Sequence, residues 1–350
     1  MCWVSLQNFL LFLFGEIMKK SIVGIVLLAS FGLGNNVFGQ VAGPLITPGS
    51  FPINPAVNFW NESSVVGLKF SNFDIESGSQ KVKGESRATG VRFSGKFSSI
   101  GLAADVQDIH TDYDDFSTSS NNYTDYYSDS NSQEFQIASG ADFVAVGLGI
   151  DNEKSESKYK DNSTSSYSDG NLLANKFGIS LQFSELYFGY FSEQASSKLK
   201  TKDSSSENDY PSLKTNSNGI GIGFILKEKF DVHAEIYFLE ESYAKVEDNG
   251  SYYVNDKSRA TGITLEILGD TLNFGLIYQK ISFEEELNKD ILDDYDREVL
   301  STVLGLTFTE NLNLSYILTN DKFEQKYKDS GERFTGLDYT ENKIQINFIF

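Results

Sequence analysis

Cysteine is almost missing from this chain. Its one copy in 350 residues is Cys2, ahead of every segment that reads as folded. A product starting at Gln40 therefore has no thiol for a disulfide, a lipid-anchored terminus or a cysteine nucleophile. Proline is nearly as scarce: Pro44, Pro48, Pro52 and Pro55 crowd together, and Pro211 is the only other one. Since proline blocks ladder pairing, the long stretch after residue 63 is free to form strands almost without interruption. Histidine is limited to His110 and His233, which leaves little for metal or acid-base chemistry. Positive charge is in deficit, with 29 basic against 49 acidic residues and a formal net charge of −20. Such a surface repels nucleic acid and anionic lipid, which argues against a partner of either kind, and no nucleic-acid partner is expected. Beyond Gln40 there is also no apolar run of the roughly 20 residues that a membrane-spanning helix needs.

What is present begins with Met18-Lys19-Lys20, followed by "SIVGIVLLASFGL" and then Val37-Phe38-Gly39 before Gln40. A basic start, an apolar run and short residues before a cleavage point form a secretory signal. Residues 1–39 are therefore expected to be a presequence exported through the Sec pathway, with Met18 as the true start. Residues 40–63 carry most of the proline and are expected to be an N-terminal plug or periplasmic segment. Residues 64–350 form the rest.

From Ser64 onward the sequence alternates. "GVRFSGKF" sets Val91, Phe93 and Phe97 against Arg92, Ser94 and Lys96, and "GIGIGF" sets Ile220, Ile222 and Phe224 against three glycines. Period two means strands. A soluble sandwich would place Lys, Glu and Thr on its wet face, whereas glycine suits the crowded concave side of a closed barrel. Fourteen such segments can be counted, from 64–76 to 340–350, joined alternately by tight turns such as Ser98-Ser99 and Ser184-Glu185 and by long polar stretches. The expected fold is all-β: a closed antiparallel transmembrane β-barrel of about 14 strands, within a range of 12–16, in the outer membrane of a Gram-negative cell. The long stretches starting near Thr111, Asp151, Ser192, Glu284 and Asp321 are expected to be outer loops. Phe97, Phe183, Phe308 and Phe350 would mark an aromatic girdle at the inner rim.

A barrel of this size is too wide for side chains alone to fill. By parity, Lys69, Arg92, Lys96, Asp105, Gln107, Lys176, Gln182, His233, Glu235 and Glu266, with Lys343, face the lumen as candidate substrate-contacting or lining residues. Both signs occur, so pairing that stiffens the wall is one reading and solute contact the other. No catalytic residue is assigned and no enzyme is expected. His110, among Asp108, Asp112, Asp114 and Asp115, shares parity with the lipid-facing Leu102, Ala104 and Val106, and His233 stands near Glu235; neither has a nucleophile at informative spacing. No cofactor or metal is expected, because the acidic stretches Asp112–Asp129 and Glu284–Asp296 lack the spacing of a calcium loop. Those stretches read as solvated loops or as contacts with lipopolysaccharide through bridging cations.

Asn54-Pro55-Ala56, shortly before "SSVVGLKFSNF", together with the fourteen strands, resembles the outer-membrane long-chain fatty-acid transporter family. The resemblance implies that Asn54, Pro55 and Ala56 belong to a lumen hatch and that the barrel moves hydrophobic molecules. The alternating end "NKIQINFIF" is similar to the C-terminal signal that the barrel assembly machinery reads, with Ile344, Ile346, Phe348 and Phe350 as its contacts. The expected partners are outer-membrane lipid and lipopolysaccharide, that machinery and a small-molecule solute. The reading is a channel for passive uptake of small molecules, hydrophobic ones if the resemblance holds. A general porin for small polar solutes and a structural or surface-binding barrel without transport stay open beside it.

Overall fold

The alternation becomes a wall with an apolar outside and a polar inside. The computed structural model describes residues 54–349 except 61–63, 78–79, 118–121, 124, 161–164, 203–206, 228–229, 246–256, 288–289 and 328–332. A 3-10 turn, Pro55–Phe59, precedes the strands. They are β1 (Val65–Ser77), β2 (Gln80–Phe97), β3 (Ile100–Ser117), the two-residue β4 (Asn122–Tyr123), β5 (Asp125–Ala141), β6 (Val144–Lys160), β7 (Ser165–Phe183) and β8 (Leu186–Lys202). β9 (Glu207–Lys227), β10 (Asp231–Lys245), β11 (Lys257–Leu268), β12 (Leu272–Leu287), β13 (Asp290–Thr309), β14 (Leu312–Tyr327) and β15 (Arg333–Ile349) complete the series. Setting β4 aside, fourteen long strands pair antiparallel in one cycle. The cycle closes where β1 meets β15, from Val65 opposite Ile349 to Glu76 opposite Asp338. Closure removes both edges of the sheet, so no row of unpaired amides faces the bilayer.

The usual order of burial is inverted. Phe93, Leu148, Ile150, Ile220, Ile222, Phe238 and Leu304 are exposed on the outer face, while Glu193, His233, Glu235 and Lys343 are buried on the inner one. This is the arrangement of a barrel whose outer face meets hydrocarbon. At the seam, Phe348, Ile346 and Ile344 of β15 stand outward opposite Val66, Leu68 and Phe70 of β1. Phe350 lies outside the described residues. Phe97, Phe183 and Phe308 project outward at the short-turn end, where rings mark the membrane boundary. Two of the tight turns rest on Ser98 and Ser184, both with left-handed backbone at φ 57 and 56.

One expectation needs correction. The polar stretches expected to be outer loops are in large part wall: β3 continues to Ser117, β6 to Lys160, β8 to Lys202, β12 to Leu287 and β14 to Tyr327, and their partners rise to meet them. The strands, 12 to 21 residues long, exceed the roughly 9–11 that cross a bilayer. Above the membrane both faces meet water, so the sequence loses its hydrophobic alternation while the backbone ladder continues. Hydroxyl pairs across strands support this upper wall. Ser157 Oγ donates to Ser128 Oγ at 3.2 Å, and Thr111 Oγ1 to Ser86 Oγ at 3.2 Å. The register shifts at Lys83/Gly84, Ser197/Leu199, Glu284/Glu286, Thr307/Thr309 and Phe323/Glu324, all near strand ends. Through the apolar band the ladders run unbroken.

The face assignment has a direct check. Ile222→Arg, a charge set against mid-membrane lipid, should cost about 2–4 kcal/mol, read as loss of denaturant resistance in refolding experiments; a near-neutral result would contradict the outward placement of this row.

Candidate functional site

Asn54 and Pro55 create the one described piece of non-barrel structure. Proline at the first position has its φ preset for a helical turn and no amide left to satisfy. Asn54 caps the turn, its Oδ1 accepting from the Ala56 amide at 3.0 Å. Its Nδ2 meanwhile donates to the carbonyl of Ile179, 125 residues away on β7, at 3.0 Å. The turn thus sits against the inner wall, touching β3, β5, β6 and β7 near their short-turn ends. Asn54, Ala56, Val57 and Asn58 are each completely buried.

The wall under the turn is cut to fit it. A Cβ at Gly178 would stand 1.9 Å from Asn54 Oδ1, one at Gly147 2.3 Å from the Ala56 nitrogen, and one at Gly101 2.5 Å from the Asn58 carbonyl oxygen. No side chain fits at these separations. Ala138 and Ala145 complete the seat, with Ala56, Phe59 and Trp60 packed on them. The sequence reading treated lumen glycine as relief of general crowding. At these three positions it is the mould of one particular segment.

Polar groups fasten the turn from the side. Asn58 Nδ2 donates to Gln136 Oε1, and Asn58 Oδ1 accepts from Arg92 Nη2 at 3.2 Å. Gln136 Nε2 in turn donates to Glu134 Oε1 at 2.6 Å, and Lys176 Nζ reaches the same oxygen at 2.5 Å. Lys96 lies 4.2 Å over the Phe59 ring, a cation–π contact at the inner rim.

Arg92, Asp105, Glu134 and Asp151 stand directly opposite one another across β2, β3, β5 and β6. Three adjacent carboxylates repel unless cations intervene. Lys176 intervenes from β7, 2.5 Å from Glu134, 3.7 Å from Asp151 and 3.9 Å from Glu193. Along the same arc, the charges of Lys343, Asp105 and Glu341 act on Lys69, and Lys343 pairs with Glu341 at 3.2 Å. Of the residues expected in the lumen, Arg92, Asp105 and Lys176 are brought into one network, and Lys69 stands on β1 opposite Gln345. Gln107 lines the wall beside it, 7% exposed. Gln182 stays apart, its Nε2 donating to the Ser184 carbonyl in the inner turn at 3.3 Å. His233 is fully buried, with Nδ1 3.0 Å from Glu266 and Nε2 3.7 Å from Glu235.

The sequence reading omitted Glu134, Asp151, Glu193 and Glu341 as lumen charges, although the parity that gave Lys176 also gives them. It omitted the Arg297–Asp321 pair for a different reason: these residues lie in upper wall that was expected to be near or within loop. Arg297 Nε donates to both Asp321 oxygens, at 3.0 and 2.9 Å. His110 belongs to the outer surface. It stands on β3 with Nδ1 2.5 Å from Asp129 and Nε2 3.1 Å from Asp112, pointing away from the lumen.

The opposite arc, β8 to β14, is apolar at mid-height. Phe191, Tyr237, Leu239, Ile277, Val303 and Ile317 are all buried on the inner face. Large rings lie across glycines of neighbouring strands: a Cβ at Gly262 would meet the Tyr237 ring at 2.0 Å, and one at Gly219 would meet Phe191 at 2.3 Å. Lower down, Tyr187 and Ile225 pack together, and Tyr187 meets Trp60 edge to face at 5.9 Å. The lumen is thus two-sided, with paired charge on one arc, apolar rings on the other, and the turn at the bottom touching both.

Closed fourteen-strand geometry with an apolar outer band and a segment seated in the lumen defines the class, a closed transmembrane β-barrel. The similar solved structures are of that kind. A deltaS2 mutant of the monoaromatic hydrocarbon channel TodX matches with a TM-score of 0.55 at 9% identity, over 89% of this chain and 95% of that one. The Ralstonia pickettii toluene transporter TbuX matches with a TM-score of 0.52 at 11% identity, over 89% and 95%. The Pseudomonas putida toluene transporter TodX matches with a TM-score of 0.51 at 8% identity, over 85% and 91%. At this identity the likeness is one of fold. No family model matches the sequence, and no curated protein matches it.

Two predictions come from this geometry. Lys176→Met strands three carboxylates around a neutral side chain and should lower stability by about 3–5 kcal/mol, measured by denaturant unfolding in detergent; adding Glu134→Gln should restore part of the loss. Gly178→Val should unseat the turn. In protein starting at Gln40, Trp60 is the only tryptophan, so its emission should shift to the red while heat-modifiable migration is retained; unchanged emission would contradict the seat.

Proposed function

We propose that this chain is an outer-membrane channel for small hydrophobic molecules, with residues 54–60 as part of a plug. The observation that carries the reading is the apolar arc. Leu172 and Ala195, Leu239, Tyr237 and Phe191, and Tyr187 and Ile225 beside Trp60 set apolar side chains at several places on the inner face, all of them packed in this structure, and these are the groups that a planar apolar solute would meet. Aromatic faces favour such solutes through apolar burial and stacking. The structural likeness to channels described as carrying monoaromatic hydrocarbons and toluene supports the same class of solute. A general porin is the weaker reading, because the lumen charges are paired with one another and a segment occupies the lower lumen.

Uptake of a radiolabelled monoaromatic hydrocarbon by Gram-negative cells expressing the chain should exceed that of cells without it, and Phe191→Lys with Tyr237→Lys should abolish the excess. Liposome swelling in arabinose should stay low with the intact protein. Rapid swelling in arabinose together with no gain in hydrocarbon uptake would overturn the proposal in favour of a porin. In planar bilayers, removal of residues 40–63 should raise conductance from a low starting level, as expected if the segment obstructs the pore.

A further inference from the structure

The outer rim carries an unevenly distributed charge that transport does not use. On the sector formed by β2, β3 and β5 the outward residues above the apolar band include Glu85, Asp108, Asp112 and Asp129, as suits a chain with a formal net charge of −20. On β6 to β9 the rim is basic on balance, with Lys154, Lys158, Lys198, Lys200 and Lys214 against Glu156 and Asp169. Lys154 on β6 stands opposite Asn171 on β7, and Asn171 opposite Lys198 on β8. Lys214 on β9 faces Ser196, two residues from Lys198. With strands about 4.8 Å apart, the three ammonium stems rise within roughly 15 Å of one another. All three lysines are exposed and outward. Some outward cations have carboxylate partners, Arg87 with Glu85, Lys158 with Glu156, Arg259 with Glu240 and Lys280 with Glu298; Lys83, Lys257 and Lys322 are exposed singly on β2, β11 and β14 and have none among the described residues. Among the described residues, Lys154, Lys198 and Lys214 likewise have none.

What lies below the lysines selects the ligand. Descending β6, β8 and β9 toward the membrane, the outward side chains change in the same order, while β7 between them carries Asp169, Asn171, Leu173, Asn175 and Phe177. On β6 Lys154 gives way to Asn152 and then Ile150 and Leu148; on β8 Lys198 gives way to Ser196, Gln194 and Ser192, then Tyr190 and Phe188. On β9 Lys214 is followed by Asn216, Asn218, Ile220 and Ile222. The surface thus has an ammonium tier, an amide and hydroxyl tier, and an apolar tier that is exposed to lipid. An amphipathic molecule with phosphate at the top, hydroxyl and amide groups beneath and acyl chains at the bottom matches this order. Ammonium groups bind phosphate as compact point charges, and each lysine near an anionic lipid surface contributes favourably. We propose that the outer face of β6 to β9 is a docking site for a phosphorylated lipid of the outer leaflet, with Lys154, Lys198 and Lys214 on its phosphates and the amide tier on its sugar or amide groups. This rests on the outer-membrane reading but not on any transport activity.

The test uses the protein from Gln40 onward in detergent, with bis-phosphorylated lipid A, dephosphorylated lipid A and inorganic phosphate as probes. Wild-type protein should retain bis-phosphorylated lipid A, and the variant K154Q/K198Q/K214Q should bind it at least about tenfold more weakly. K154R/K198R/K214R should retain binding, and the control R87Q/R259Q/K280Q should match wild type. Inorganic phosphate at millimolar concentration should not displace the lipid. Heat-modifiable migration shows that each variant is folded, and hydrocarbon uptake is scored separately, so failure here leaves the transport reading standing. Equal binding of lipid A by wild type and the triple glutamine variant, equal binding of the dephosphorylated lipid, or full displacement by inorganic phosphate would each overturn the proposal.

Discussion

The pairing of β1 with β15 is the constraint on which the rest depends. In hydrocarbon an unsatisfied backbone amide costs several kcal/mol, so a sheet that failed to join its ends would expose two rows of such groups. The seam therefore must form, and it joins the beginning and the end of the barrel, with Lys69 opposite Gln345 and Phe70 opposite Ile344. Once the ends meet, alternation fixes everything else: along each strand successive residues face lipid and lumen in turn, and a slip of one residue would reverse them all. The lumen charges are tolerable because closure holds them beside partners, as Lys343 is held beside Glu341 and Lys176 beside Glu134.

The two arcs of the lumen follow from what each must touch. The β1 to β8 arc holds the turn, and a turn of exposed amides and carbonyls needs polar partners and small side chains beneath it. Arg92, Gln136 and the backbone of Ile179 supply the first, and Gly101, Gly147 and Gly178 the second. Over β8 to β14, with no such segment to fasten, rings and branched aliphatics fill the inner face instead. The polar pairs there are set toward the ends, His233 with Glu266 below and Arg297 with Asp321 above.

Much of this is legible in the sequence. Parity placed Arg92, Lys176 and His233 inside and Phe93 and Ile222 outside, because within the membrane each strand must present one face to each of two different solvents. Legibility failed where those solvents became the same. Along the upper strands, Ser128, Ser155 and Ser157 face inward without an apolar row opposite them, and continuous wall was read as loop. The seat was invisible for another reason. A glycine that admits Asn54 and a glycine that relieves general crowding look alike in a sequence, and only the long-range bond from Asn54 to Ile179 tells them apart. Asn54-Pro55-Ala56 could be recognised as an element, but nothing local shows which strands receive it.

That long-range bond also has a bearing on how the molecule is made. Residues 54–58 lie ahead of all the strands in the chain, yet their seat spans β3, β5, β6 and β7 and is complete only when Gly178 has been added. Contacts separated by so much chain form slowly, since a large loop must close first. In the folded barrel the segment joins four strands from the inside, so it ties together wall that is otherwise held only by ladders between neighbours.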